Sequence, residues 1–316
     1  MDFGVHLPLI GFDGRPWSLR NLLEYAETAE SLGFAALAAN DHLIFSRPWL
    51  DGPTALSSVL AASGQMDLMT TVALPVVRGP VQVAKSFAAI DTLADGRLIV
   101  GVGPGSSARD YAAGVPFEER WKRLDEAVMT MRTLWRRDGS PFRGDFYTTE
   151  GITLEPHPAR QAGPPIWIGS WGSGPSLRRM ARLGDGWLAS AYNTTPELFA
   201  DARRRLGEHL QAACRDPIRF PNAIATKFLH LTEHRAAADR IVRDLLGPML
   251  GRPETELRER LLVGSVEECT QKLAAYRSEG AQRVLLWPIQ DELRQLETFR
   301  EHVVPLVHAR SVQEHS

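Results

Sequence analysis

The chain has 316 residues, 44% hydrophobic and 23% charged, the proportions of a globular protein with a large core. A count of 36 Lys and Arg against 38 Asp and Glu leaves a formal charge of −2, which offers no basic field to nucleic acid or a membrane surface and points to a small-molecule partner. Cys214 and Cys269 lie too far apart for a disulfide framework or zinc site, and the lack of a leader-like segment or a long apolar run places the chain in the cytoplasm as an expectation.

In chain order, Phe3 to Leu7 is a first strand. Ser18 is the N-cap of a helix through Ser31 that Gly33 ends, and Phe34 to Ala39 is a second strand running into the polar Asn40-Asp41-His42. Asp51 caps a helix to about Ser63, Leu68 to Leu74 is a third strand, Pro80 opens a helix through Leu93, and Arg97 to Val102 is a fourth strand entering Gly103-Pro104-Gly105. A long amphipathic helix covers Phe117 to Trp135. Residues from Asp138 to Gly163 form an excursion with a hairpin around Phe146-Tyr147 and Ile152-Leu154.

The stretch from Pro164 to Leu188 reads as strand, glycine-rich turn, helix and strand: Ile166-Trp167-Ile168, then Gly169, Gly172 and Gly174, then Pro175 in the first turn of the next helix. A helix N-terminus with small residues and nearby arginines is suited to an anion, and a connection that binds nothing is equally compatible with the spacing. Further strands follow at Trp187 to Ser190, Ala223 to Leu231 and Arg283 to Trp287. They alternate with helices from Pro196 to Ala213, Thr232 to Leu246, Ser265 to Ser278 and Asp291 to Val303, and Gly247 to Arg260 is a polar insertion. This alternation predicts an α/β fold, a closed (β/α)8 TIM barrel with insertions, as one domain over 1–316.

In such a barrel ligands bind at the C-terminal strand ends. Asp41-His42 is the adjacent acid and base there, and an imidazole can move a proton near neutral pH; a loop cap and a half-buried packing histidine are the plain alternatives. Met69 to Val77 carries no ionisable group and offers an apolar wall, or is a plain core strand. Trp17, Phe45, Trp49 and Trp171 sit in rim loops. His6 and Asp41-His42 are too few for metal hydrolysis, so no metal is expected, and no G-x-S-x-G supports a serine nucleophile.

Five segments in order, FGVHLP, GFAALAANDHL, LADGRLIVGVGPGS, VPFEERWKRLDEAVMTMRTLW and PPIWIGSWGSGPSLRRMARLGDGWL, resemble the bacterial luciferase-like family of flavin and deazaflavin oxidoreductases, from residue 3 to about 305. The resemblance implies a luciferase-like (β/α)8 barrel, a homodimer, binding FMN as a flavoprotein or the deazaflavin coenzyme F-420. It implies oxidoreductase activity, hydride transfer or monooxygenation, on a small organic substrate. By the same resemblance, Asp41 and His42 match an Asp-His pair at the redox centre, and Val72-Ala73 a non-proline cis peptide against the ring. Gly103, Pro104 and Gly105 match the strand-four loop, with Arg109 just beyond. Gly172, Ser173, Gly174 and Ser176 match the phosphate turn. The Asp-His pair and strand-four glycines favour coenzyme F-420 over FMN. Ser106 stands where the deazaflavin-dependent sugar-phosphate branch has a glutamate, which counts against that activity. A cofactor-binding protein without turnover and a metal-dependent barrel hydrolase are the alternatives.

Overall fold

The computed structural model describes every residue except Asp13, Arg15, Ser106 and 314–316. Strands β1 (Asp2–His6), β2 (Ala36–Ala39), β3 (Asp67–Thr70), β4 (Leu98–Val102), β5 (Ile166–Ser170), β6 (Gly186–Ser190) and β7 (Asn222–Leu231) each pair in parallel with the next. A ninth strand, β9 (Arg283–Pro288), pairs with β7 on one side and β1 on the other and closes the ring. The short β8 (Leu262–Gly264) pairs only with the second half of β7 and stands outside the ring.

Helices α1 (Leu19–Ser31), α2 (Gly52–Ser58), α3 (Pro75–Arg78), α4 (Pro80–Leu93), α5 (Arg120–Trp135), α6 (Gly174–Leu183) and α7 (Pro196–Ala212) fill the connections of the first seven strands. They are followed by α8 (Arg235–Arg240), α9 (Gly247–Leu250), α10 (Glu254–Arg260), α11 (Val266–Ser278), α12 (Glu292–Thr298) and α13 (Val304–Gln313). Their starts are set locally. Ser18 accepts from the Asn21 N–H at 3.1 Å and Asp51 from the Thr54 N–H at 3.0 Å, and Ser265 and Glu268 exchange the two bonds of a capping box. No helix among the described residues is long and apolar enough to cross a membrane.

The strands are buried on both faces, as parallel strands under helices must be. Met69, Ile99, Trp167, Leu188 and Leu285 fill the lumen together with small alanines from β2 and β7, as a cluster separate from the outer core. Trp167 fits there because Gly186 beside it lacks a Cβ, which would sit 2.5 Å from the indole.

Two expectations are corrected. The segment 138–163 holds no hairpin of strands: it has one antiparallel bridge, Arg143 to Thr148, and Ile152–Leu154 is unpaired with any strand. The Glu126 carboxylate from α5 accepts the N–H groups of Asp145, Phe146 and Tyr147 at 2.9, 2.8 and 3.1 Å, so a side chain takes the donors a ladder would have used. Gly247 to Arg260, read as a polar insertion beyond the preceding helix, carries two short helices, α9 and α10, with Gly251 to Pro253 between them. Acidic residues in the first turn of α10 and arginines in its last pair at i,i+4, Arg258 with Glu254 at 2.7 Å and Arg260 with Glu256 at 2.8 Å, around the buried Leu257.

At the N-terminal end of the ring Arg283 joins three strands. Its Nε and Nη2 donate to Asp2 at 2.7 and 3.0 Å, and Nη1 donates to Asp67 at 2.8 Å. Replacing Arg283 by Met is expected to lower unfolding free energy by about 1–2 kcal/mol, the lower part of the range for charged hydrogen bonds because both carboxylates are partly open to solvent. Urea denaturation at low and high salt checks this, and the loss should shrink as salt is raised.

Candidate active site

The C-terminal strand ends surround a cavity of ≈ 380 Å³. The loop after β2 supplies Asn40, Asp41 and His42. The segment after β3 supplies Thr71, Val72 and Leu74, and the loop after β4 supplies Gly103, Pro104 and Gly105. Ser170, Trp171, Ser173 and Ser176 enter from β5 and α6, Ala189, Ser190 and Tyr192 from β6, Ala225 and Thr226 from β7, and Arg120 and Trp121 from α5.

Asp41 and His42 are neighbours in sequence with different partners. Asp41 is 1% exposed and receives Arg78 in two bonds, Nε at 2.7 Å and Nη2 at 2.6 Å, plus the Leu74 N–H at 3.2 Å. Arg78 also bonds Asp51. His42 instead places Nδ1 3.0 Å from Asp110 Oδ2. The other oxygen of Asp110 accepts the N–H groups of Leu43 at 2.9 Å and Ile44 at 3.0 Å, and the side chain is fully buried. Burial pushes the Asp110 carboxyl up, but the bonds from His42 and the two amides outweigh it and hold the group below the usual carboxylate range. With Nδ1 so engaged, Nε2 is the His42 nitrogen left for a ligand in the cavity. Phe45 and Trp49 pack on the imidazole at centroid distances of 4.6 Å each.

One wall is apolar: Val72, Leu74, Leu188, Ala189 and Ala225. Val72 follows a cis peptide bond that lies between Thr71 and Val72, one bond earlier than the resemblance placed it. At the other end the hydroxyls of Ser170, Ser173 and Ser176 meet, Ser170 to Ser176 at 2.6 Å and Ser173 to Ser176 at 2.9 Å. Ser173 makes no side-chain cap bond to α6, so the Ser176 N–H in its first turn keeps its capacity to donate to an anion.

Of the residues expected from sequence, Asp41, His42, Val72, Gly103, Pro104, Gly105, Ser173 and Ser176 all line this cavity. Three do not. Ala73 is spent in the ladder, its N–H on Gly101 O at 2.8 Å and its carbonyl accepting from Gly103 N at 3.1 Å. Gly172 turns toward α7, where a Cβ would meet Ala202 at 2.9 Å, and its φ of +86° is the reason for glycine. Gly174 is the first residue of α6 with Arg178 as its neighbour. Ser106 lies outside the described residues. Asp110 and Arg78, which fix His42 and Asp41, were not picked out from the sequence.

The donor set suits a planar ring with an anionic tail: an apolar wall, a histidine at its edge, and hydroxyl and amide donors at the far end. Among the described residues no group of three or more His, Cys, Asp or Glu is placed to hold a metal ion.

Replacing Asp110 by Ala strands two amides and the imidazole in a buried site, and is expected to cost about 2–4 kcal/mol in urea denaturation at neutral pH. The carboxyl is depressed in the folded chain, so its contribution is present above the unfolded value near ~3.9 and is lost as pH falls through the folded value. The stability gap between the two proteins should therefore narrow as pH falls below about 4.

Residues 1–283 match the luciferase-like monooxygenase family. A glucose-6-phosphate dehydrogenase dependent on F420 from Intrasporangium calvum is 34% identical over 197 residues, 58% of this chain and 57% of that protein, so the chain matches little more than half of that relative. An enzyme of the same description from Rhodococcus erythropolis is 27% identical over 326 residues, 92% of this chain and 94% of that one. A solved F420-dependent secondary alcohol dehydrogenase with an F420-acetone adduct has the same fold, with a TM-score of 0.83, 21% identity, and coverage of 97% of this chain and 98% of that one. The chain belongs to the luciferase-like monooxygenase family.

Proposed function

We propose that this chain is a coenzyme F-420-dependent oxidoreductase that transfers hydride to or from a small alcohol or its carbonyl counterpart, with FMN as the alternative cofactor. The observation that carries this reading is the His42 imidazole, held on a buried carboxylate at the edge of an apolar-walled cavity whose other end is a serine turn at a helix N-terminus.

When bound, the deazaflavin ring supplies a carbon that accepts or gives up hydride. Val72, Leu74 and Ala225 exclude water from that end of the cavity, and Ser173, Ser176 and the first turn of α6 hold the tail. His42 Nε2 takes the hydroxyl proton of an alcohol as it is oxidised, or in the reverse direction gives a proton to the oxygen of a carbonyl substrate as it is reduced to the alcohol, while Nδ1–H stays on Asp110. Asp110 stabilises the imidazolium so formed. Asp41, held by Arg78 and the Leu74 N–H, fastens the strand ends around the cavity. The substrate is not a sugar phosphate in this reading. Arg120 is the one cationic side chain among the described lining residues, and it is engaged by Phe117, donating to the carbonyl at 2.9 Å and stacking at 3.8 Å; position 106 is serine. The same reading takes residues 1–316 as one domain, working as a homodimer in the cytoplasm.

Titrating the purified protein separately with coenzyme F-420 and with FMN, followed by fluorescence, is expected to give saturable binding with F-420 the tighter ligand. Binding of neither would end the proposal, and tighter binding of FMN would move it to the oxygen-inserting branch. With the F-420-loaded protein and a panel of small alcohols, His42→Ala is expected to lower turnover by about 10²–10⁴-fold while the cofactor dissociation constant changes only a few-fold. Absorbance of the oxidised deazaflavin measures the first and fluorescence the second.

A further inference from the structure

His6 ends β1 fully buried beneath the cavity, its ring stacked on Trp287 at 4.7 Å and 11°. Its two nitrogens have different partners. Nε2 lies 3.0 Å from the Thr226 backbone nitrogen. A backbone N–H can only donate, so Nε2 is the bare, accepting nitrogen. That amide is free to reach His6 because β7 shifts register against β9 between Ile224 and Lys227, with Thr226 at φ +63° and its N–H turned out of the ladder. Burial lowers the His6 pKa to about 3, so the ring is neutral and carries its one hydrogen on Nδ1.

Nδ1 lies 3.4 Å from Thr71 Oγ1. With its hydrogen on Nδ1, His6 donates and Thr71 Oγ1 accepts, and no other partner of that hydroxyl occurs among the described residues. The hydroxyl's own hydrogen is then left for the cavity that Thr71 lines, beside Val72. In the opposite tautomer Thr71 would donate to His6 and have nothing to offer a ligand, and the Thr226 amide forbids that tautomer.

We propose that Thr71 is a hydrogen-bond donor of fixed polarity into the cavity, that His6 is the positioning residue that fixes it, and that the pair selects a ring carrying an acceptor, a carbonyl oxygen or an imino nitrogen, at the atom facing Thr71. This rests on the reading of the cavity as a ring site.

The test is equilibrium binding of coenzyme F-420 and of FMN, by fluorescence, to wild type, Thr71→Val, Thr71→Ser and His6→Phe, with the absorption maximum of the bound ring recorded. Thr71→Val keeps the shape and removes the donor, and is expected to weaken binding about tenfold. Thr71→Ser restores the donor and is expected to stay within about twofold of wild type. His6→Phe keeps the stack on Trp287 but releases the hydroxyl, and is expected to move the bound absorption maximum in the same direction as Thr71→Val. Should Thr71→Val not fold, as judged by thermal unfolding, Thr71→Ala serves for the same comparison with Thr71→Ser. Thr71→Val binding as tightly as wild type, or a folded Thr71→Ser binding as weakly as Thr71→Val, overturns the inference alone. An unmoved absorption maximum in His6→Phe overturns the part assigned to His6. Wild type binding neither cofactor overturns the ring-site reading and this inference with it.

Discussion

The bond between His42 and Asp110 is the interaction on which the mouth of the barrel depends. A fully buried carboxylate is tolerable only when its lone pairs are filled, and three donors fill this one: the imidazole and the amides of Leu43 and Ile44. All three come from the loop after β2, while Asp110 comes from the loop after β4. The carboxylate therefore ties two loops together and in the same act fixes the histidine's ring plane and tautomer. Phe45 and Trp49 close on the imidazole from the side, so that little freedom remains in it. Ring orientation and tautomer of His42 are thus set by one residue.

Asp41 shows how adjacent residues at a strand end can be given separate tasks. Both lie in the loop after β2, yet Asp41 meets Arg78 and His42 meets Asp110. Asp41 meets Arg78 in a bidentate pair, with Asp51 on the same guanidinium, and this fastens the end of β2 to α3 and to the start of α2. The arginine also cancels a negative charge that would otherwise face any anionic ligand. One carboxylate at the mouth tunes the histidine; the other is neutralised and braces the frame.

The barrel was legible in the sequence because its determinants are local. Buried parallel strands read as short apolar runs, and the caps at Ser18, Asp51 and Ser265 each act within three residues. The site was legible down to its loops and less so within them. Ala73, Gly172 and Gly174 were expected against a ligand, yet Ala73 is in the ladder and Gly172 serves the turn; glycine tells of a backbone need without saying which face it serves. Asp110 lies 68 residues from His42, two strand-and-helix units away, and no spacing rule connects them. The bend of β7 that admits β8 depends on a one-residue slip against β9, which apolar patterning over Ala223 to Leu231 does not reveal.

The depth of the apolar wall is set by atoms that are missing. Val72 stands between β4 and β5, and its two γ-methyl groups are received by glycines on either side: a Cβ on Gly103 would lie 2.7 Å from Cγ2, and one on Gly169 2.8 Å from Cγ1. An alanine at either place could be relieved only by pushing Val72 into the cavity, where it would take the space of a ring, or by moving strands already locked through Thr70, whose hydroxyl donates to Gly101 O at 2.7 Å. Gly103 at the head of the loop after β4 and Gly169 in β5 together form the seat for one valine. The flatness of the wall then follows from close packing behind it.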